Sequence, residues 1–147
     1  MAVKAVIDTN IWISALLNPF GFPAKLRQTF TAGSFQAVIS EPMLLELAEV
    51  LNRPRIKDKY GLAAADIEEI LRLIEERSES VLLSGDVEVC RDNNDNMVIE
   101  TAIRGRAAYL VSRDDDIKHD KEVASFLRQY GTSVVSVAKF LTIMEHQ

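Results

Sequence analysis

Short apolar runs rich in β-branched residues alternate with amphipathic stretches from one end of this chain to the other. That order constrains the fold more than any other feature. The first run, Val3-Lys4-Ala5-Val6-Ile7, is broken only by Lys4 and stops abruptly at Asp8-Thr9-Asn10. An apolar run bounded in this way reads as a buried strand that ends at a polar edge. Residues 11–17 then read as a helix. Further strands are predicted at 35–39, 80–83, 107–112 and 133–135. A turn-rich break at Asn18-Pro19-Phe20-Gly21-Phe22-Pro23 precedes a helix at 24–31. Another helix opens at Ser40-Glu41-Pro42, with Ser40 as its N-cap and Met43, Leu44, Leu47 and Leu51 as its apolar stripe. Arg53-Pro54-Arg55 ends or kinks it, and residues 56–60 add a short helical piece. Residues 65–77 form an amphipathic helix, with Ile67, Ile70, Leu71 and Ile74 at helical spacing. Residues 85–94 read as a polar loop and 97–104 as a helix closed by Gly105. Val123, Phe126 and Leu127 mark one more helix, and 137–144 the last. Strands separated by helices need crossover connections. The expected fold is therefore α/β, three-layer α/β/α around a central, mainly parallel sheet. No repeat, low-complexity tract or linker divides residues 1–147, so a single domain is expected.

A chain of 147 residues with 48% hydrophobic and 27% charged residues can bury a sizeable core. No apolar run has the length of a membrane span, and Lys4 and Asp8 interrupt what would be a signal-peptide core. Cys90 is the single cysteine, which excludes an internal disulfide and lacks the spacing of a zinc site. These features predict a cytoplasmic protein. The net charge of −5 argues against a broad basic surface for gripping nucleic acid. It leaves open contact at a small metal site, where bound cations reverse the local sign.

Acids recur where strands end or helices begin. Asp8 closes the first strand, Glu46 lies in the helix after the second, and Asp95 precedes the helix at 97–104. Asp114 closes the strand at 107–112, with Asp116 two residues later. Each has a plain structural alternative. Asp8 or Thr9 could cap the first helix, and Asp95, Asp92 or Asn94 a later one. Glu46 could sit on a solvated face, and Asp114-Asp115-Asp116 could be a surface charge run. None of these accounts for acids at the same end of the sheet in separate strand–helix units. Clustered carboxylates suit hard divalent cations such as Mg²⁺ and Mn²⁺. Such ions activate water and steady an oxyanion leaving group in phosphodiester cleavage.

Four blocks carry a family resemblance. Val6-Ile7-Asp8-Thr9-Asn10 resembles the opening of a PIN domain. Glu46 matches that family's second acid, in the helix beginning Ser40-Glu41-Pro42. Arg91-Asp92-Asn93-Asn94-Asp95-Asn96-Met97-Val98-Ile99-Glu100-Thr101-Ala102 resembles the block of the third acid, matched by Asp95. Asp92 lies close enough to compete, but the spacing from Asp95 to Thr101-Ala102 fits the block. Tyr109-Leu110-Val111-Ser112-Arg113-Asp114-Asp115-Asp116 resembles the fourth block, with Asp114 in the acid position. The blocks follow one another in order along essentially the whole chain. Within the family, the chain resembles the toxins of toxin–antitoxin pairs.

The resemblance implies a Mg²⁺- or Mn²⁺-dependent ribonuclease, with an antitoxin protein as partner and a homodimer as its assembly; single-stranded RNA is the expected substrate, because only a base-accessible strand enters a small pocket without prior unpairing. It implies Asp8, Asp95 and Asp114 as metal ligands, direct or through water. Glu46 would bind metal or orient the attacking water, and Asp116 would be a further ligand. Asn10 and Ser112 would hydrogen-bond to the ligating groups.

Substrate contacts are less legible. Arg53, Arg55, Lys57 and Lys59, or Arg104 and Arg106, could touch phosphates, although solvated helix ends explain them as well. Trp12 could stack on a base, although a core role suits it better. His119 and His146 have no partner pattern for catalysis. A haloacid-dehalogenase-type phosphatase needs a second acid two residues after its nucleophile, and that position is Asn10. A response-regulator receiver needs an acidic pair after the first strand and an Asp after the third. Ser84 and Gly85 stand there instead, with Asp86 a loose candidate. A catalytically inactive PIN-like binding module is the remaining alternative.

Overall fold

Five strands form one sheet: β1 (Lys4–Ile7), β2 (Gln36–Ser40), β3 (Ser78–Val81), β4 (Tyr109–Val111) and β5 (Ser133–Val135). All neighbours pair in parallel, in the spatial order β3-β2-β1-β4-β5. The computed structural model describes residues 3–88, 93–112 and 121–146. Its helices are α1 (Thr9–Leu17), α2 (Gly21–Thr31), α3 (Glu41–Leu51), α4 (Pro54–Tyr60), α5 (Ala64–Arg77), α6 (Asn93–Arg104), α7 (Lys121–Arg128) and α8 (Val137–Glu145). This is the expected α/β architecture, a parallel sheet flanked by helices.

The strand order explains where a site can form. From β1 the chain steps outward to β2 and β3, then returns past β1 to β4 and β5. Crossovers between parallel strands are right-handed, so the reversal sends α1–α5 and α6–α7 to opposite faces. The crevice opens at the carboxyl ends of β1 and β4, where the direction switches.

Both faces of the central strands are covered. Val6, Ile7, Val38, Ile39, Leu110 and Val111 are fully buried, as unbroken apolar strands of a parallel sheet require. A chain of edge-to-face aromatics ties α1, α2 and α8 together. Trp12 meets Phe30 at 5.0 Å, and Phe35 meets Phe140 at 5.0 Å, between ring centroids. Trp12 is thus core, not a stacking platform.

Of the boundaries that differ from the sequence expectation, three bear on the site and its frame. α2 starts at Gly21 rather than at residue 24. Gly21 takes the left-handed φ of +72°, and Pro23 fits the first helical turn, whose N–H groups need no helical partner. β3 is the polar segment Ser78–Val81, and Leu82 is 89% exposed. An edge strand needs only half its surface covered, so backbone pairing with β2 outweighs the pull of Leu82 and Leu83. Finally, α6 begins at Asn93, which puts Asp95 inside its first turn instead of ahead of it.

At its other end α6 sits hard against the sheet. A Cβ on Gly105 would lie 2.3 Å from Val38 Cγ1, so only glycine permits this approach.

Candidate active site

Asp8 follows the last residue of β1, and Ser112 follows the last residue of β4. The ladder pairs Val6 with Leu110 and Ile7 with Val111, and the Asp8 N–H continues it by donating to the Val111 carbonyl at 3.0 Å. One step further, the Ser112 hydroxyl donates to Asp8 Oδ2 at 3.1 Å. Ser112 is fully buried and Asp8 is 8% exposed. The crevice predicted by topology therefore has a buried carboxylate on its floor, oriented by a hydroxyl from the neighbouring strand.

Asp8 occupies the N-cap position of α1, and its carbonyl accepts from the N–H groups of Ile11 and Trp12. Its carboxylate makes no capping hydrogen bond to the helix. The backbone thus starts the helix while the side chain is directed to other work. Beside it, the Thr9 hydroxyl is buried with no hydrogen-bond partner among the described residues, and Asn10 is exposed.

Glu46 lies in α3 between Met43 and Leu47, both fully buried. It is half-buried, and its Oε2 is shut off from solvent. Asp95 is half-buried in the first turn of α6. A helix linking parallel strands runs back against them, so α3 and α6 both begin at the carboxyl edge of the sheet. One contact fixes that placement: Ser40 Oγ at the end of β2 lies 2.9 Å from Thr101 Oγ1 in α6. Ser40 therefore does not cap α3 with its side chain, as its N-cap position suggested.

The structure thus joins Asp8 to Ser112 and sets Glu46 and Asp95 on segments that start at the same edge. Asp92, Asp114, Asp116 and His119 lie outside the described residues. Among the described residues, no three acidic, histidine or cysteine side chains are grouped closely enough to hold one ion. The donors themselves suit a hard divalent cation: all are carboxylate oxygens, and Asp8 is already desolvated and aligned.

Glu100 is the functional-region residue that sequence reasoning passed over. It is 2% exposed. Its Oε2 accepts from the Ser84 N–H at 2.6 Å, the Ser84 hydroxyl at 3.1 Å and Arg104 Nε at 3.2 Å, and its Oε1 from the Gly85 N–H at 2.9 Å. Burial pushes its pKa up. The two backbone donors, the Ser84 hydroxyl and Arg104 together outweigh burial and hold the carboxyl below its ordinary value. Arg104 also donates to Ser84 Oγ at 2.8 Å, so its charge is committed to this cluster. Arg53 likewise pairs with Glu49 at 3.1 Å. The i, i+4 spacing of Glu100 and Arg104 was the available signal in the sequence, but nothing there indicated burial.

The model of the PIN domain family matches residues 4–116. The chain belongs to the PIN-domain family. PIN domains are typically nucleases that use divalent metal ions. An uncharacterized protein of Methanocaldococcus jannaschii, MJ1680, is 29% identical over 126 residues, covering 86% of this chain and 80% of that protein. A crystal structure of VapBC2 from Rickettsia felis, bound to a DNA fragment from their promoter, includes a chain of the same fold. It aligns with a TM-score of 0.59 and 16% identity, over 91% of this PIN-domain chain and 98% of that one.

Proposed function

We propose that this PIN-domain protein is a Mg²⁺- or Mn²⁺-dependent endoribonuclease that cuts single-stranded RNA. It acts in the cytoplasm as the toxin of a toxin–antitoxin pair. Residues 1–147 are one nuclease domain. The observation that carries this reading is the Asp8 carboxylate. It is buried at the topological switch point, held by Ser112 and unused as a helix cap.

In this reading Asp8, Asp95 and Asp114 hold the metal, with Asp116 as a further ligand. Glu46 binds metal or orients the attacking water, and Asn10 and Ser112 keep the ligating groups in place. The bound ion supplies an activated water and charge to steady the leaving oxyanion of a phosphodiester. The chain's own contribution is alignment: Ser112 fixes the rotamer of Asp8, and the start of α6 carries Asp95. Solution of the Rickettsia felis protein as VapBC2, two components together on DNA, supports an antitoxin as partner. A homodimer is the proposed assembly. No helix among the described residues is long and apolar enough to cross a membrane.

The test uses the full chain with end-labelled single-stranded RNA, Mg²⁺ or Mn²⁺ with and without chelator, and p-nitrophenyl phosphate in parallel. The expected outcome is metal-dependent RNA cleavage with little release from the monoester. Phosphate release with intact RNA would favour a haloacid-dehalogenase-type phosphatase, which Asn10 disfavours. No reaction on either would favour an inactive binding module.

A further inference from the structure

Between α6 and the segment after β3 lies a cleft of about 470 Å³, with Asn96 and Met97 on one side and Val87 and Glu88 on the other. Asn96 is the residue next to Asp95, so the cleft adjoins the proposed catalytic edge. Its wall is fixed. Both oxygens of Glu100 are bonded to Ser84 and Gly85, which pins this segment to α6. Two observations limit what can enter. Of the two charged residues lining it, Glu100 is paired with Arg104, and the exposed Glu88 carboxylate disfavours a phosphate. Val87 and Met97 offer an apolar, polarizable contact of the kind that accepts a flat ring. An RNA strand whose phosphate sits at Asp8 must place a neighbouring base somewhere, and this cleft adjoins that edge.

We infer that this cleft takes one unpaired base of the RNA strand, with guanine preferred and uracil disfavoured. The inference rests on the ribonuclease reading above. Glu88 is exposed and Glu100 is committed to its loop, so Glu88 is the carboxylate available to a ligand. A carboxylate only accepts hydrogen bonds. The Watson–Crick edge of guanine offers two adjacent donors, N1–H and N2–H, which match its two oxygens. Cytosine and adenine each offer one amino group there, and uracil a lone N3–H between two acceptors. Reading of a splayed base on its Watson–Crick edge is the usual basis of sequence preference for single strands. Glu88 sets the preference, and Met97 with Val87 supplies the stack.

The experiment uses the full chain and single-stranded oligomers of twelve residues: all-uridine, or uridine with one central guanosine, adenosine or cytidine. The readout is the ratio of kcat/KM for each oligomer to that for the all-uridine strand, in Mn²⁺. Wild type should favour the guanosine strand about tenfold and cut at a fixed offset from the guanosine. Glu88→Gln should collapse that ratio to about one to two, and Met97→Ala should reduce it severalfold. Glu68→Gln, on the exposed face of α5, should leave it unchanged. Anisotropy with fluorescent 2′-O-methyl strands in chelator reads the same preference without catalysis. Guanine preference in binding that Glu88→Gln abolishes, with no cleavage of any strand, would support the cleft and overturn the nuclease reading. Cleavage with a ratio that neither Glu88→Gln nor Met97→Ala changes would overturn the cleft alone. Absence of both cleavage and preference would overturn both.

Discussion

Asp8 and Glu100 are both nearly shut off from water, yet their surroundings give them different work. Glu100 is enclosed by donors from Ser84, Gly85 and Arg104 that stabilise its charge, so it ties a loop to a helix. Asp8 sits on the floor of a crevice with its helix-capping role left to the backbone. The lowered pKa of Glu100 has a definite consequence for stability. A carboxyl whose folded value lies below its unfolded value, about 4.3, favours folding above that pH. The contribution is lost as the pH falls from there through the lowered folded value. Glu100→Gln should therefore flatten the decline in stability below about pH 4.3. It should also cost about 1.5–3 kcal/mol near neutrality, the range for hydrogen bonds to a charged group. Urea unfolding of both proteins between pH 3 and pH 7 measures this. Parallel acid profiles would show that Glu100 titrates alike in the folded and unfolded states.

At the level of elements, α6 organises the site. It crosses β1, β2 and β4, carries Asp95 in its first turn at the carboxyl edge and ends against Val38 at Gly105. Because Val38 is a buried, stiff β-branched residue, Gly105→Ala has no soft neighbour to displace. We expect a loss of about 1–3 kcal/mol, as for overpacking in a core, read as a fall in melting temperature. Loss of the Ser40–Thr101 contact, visible as faster hydrogen exchange in α6, should accompany it. The alternation of strands and helices was legible in the sequence because fully buried parallel strands leave continuous apolar runs. Asp8 was legible because a polar triplet interrupts such a run. Edges were harder. β3 is held by pairing with β2 rather than by its own polar residues, and the start of α6 lay within a stretch rich in Asp and Asn, residues that favour turns and caps equally. The Glu100 cluster was hidden because its loop donors stand fifteen and sixteen residues away, with no periodicity linking them.

On the scale of the whole molecule, a chain of net charge −5 carries out its proposed work on a polyanion. That combination requires a cation at the point of contact, and the reversal of strand order creates a crevice where one belongs. In the proposed site, carboxylates gathered without metal would repel one another, so the metal-free fold would carry local electrostatic strain. Asp8→Asn removes one charge at nearly constant shape. It should abolish RNA cleavage while leaving the metal-free protein at least as stable as wild type. An ion that binds only the folded state raises stability by mass action, so Mn²⁺ should raise the wild-type melting temperature and act far less on Asp8→Asn. The decisive measurement is the pair of thermal melts, wild type and Asp8→Asn, each with chelator and with Mn²⁺. The predicted result is a metal-dependent rise in wild type that is largely lost in the variant; equal rises in the two proteins would take Asp8 out of the metal site and contradict the account.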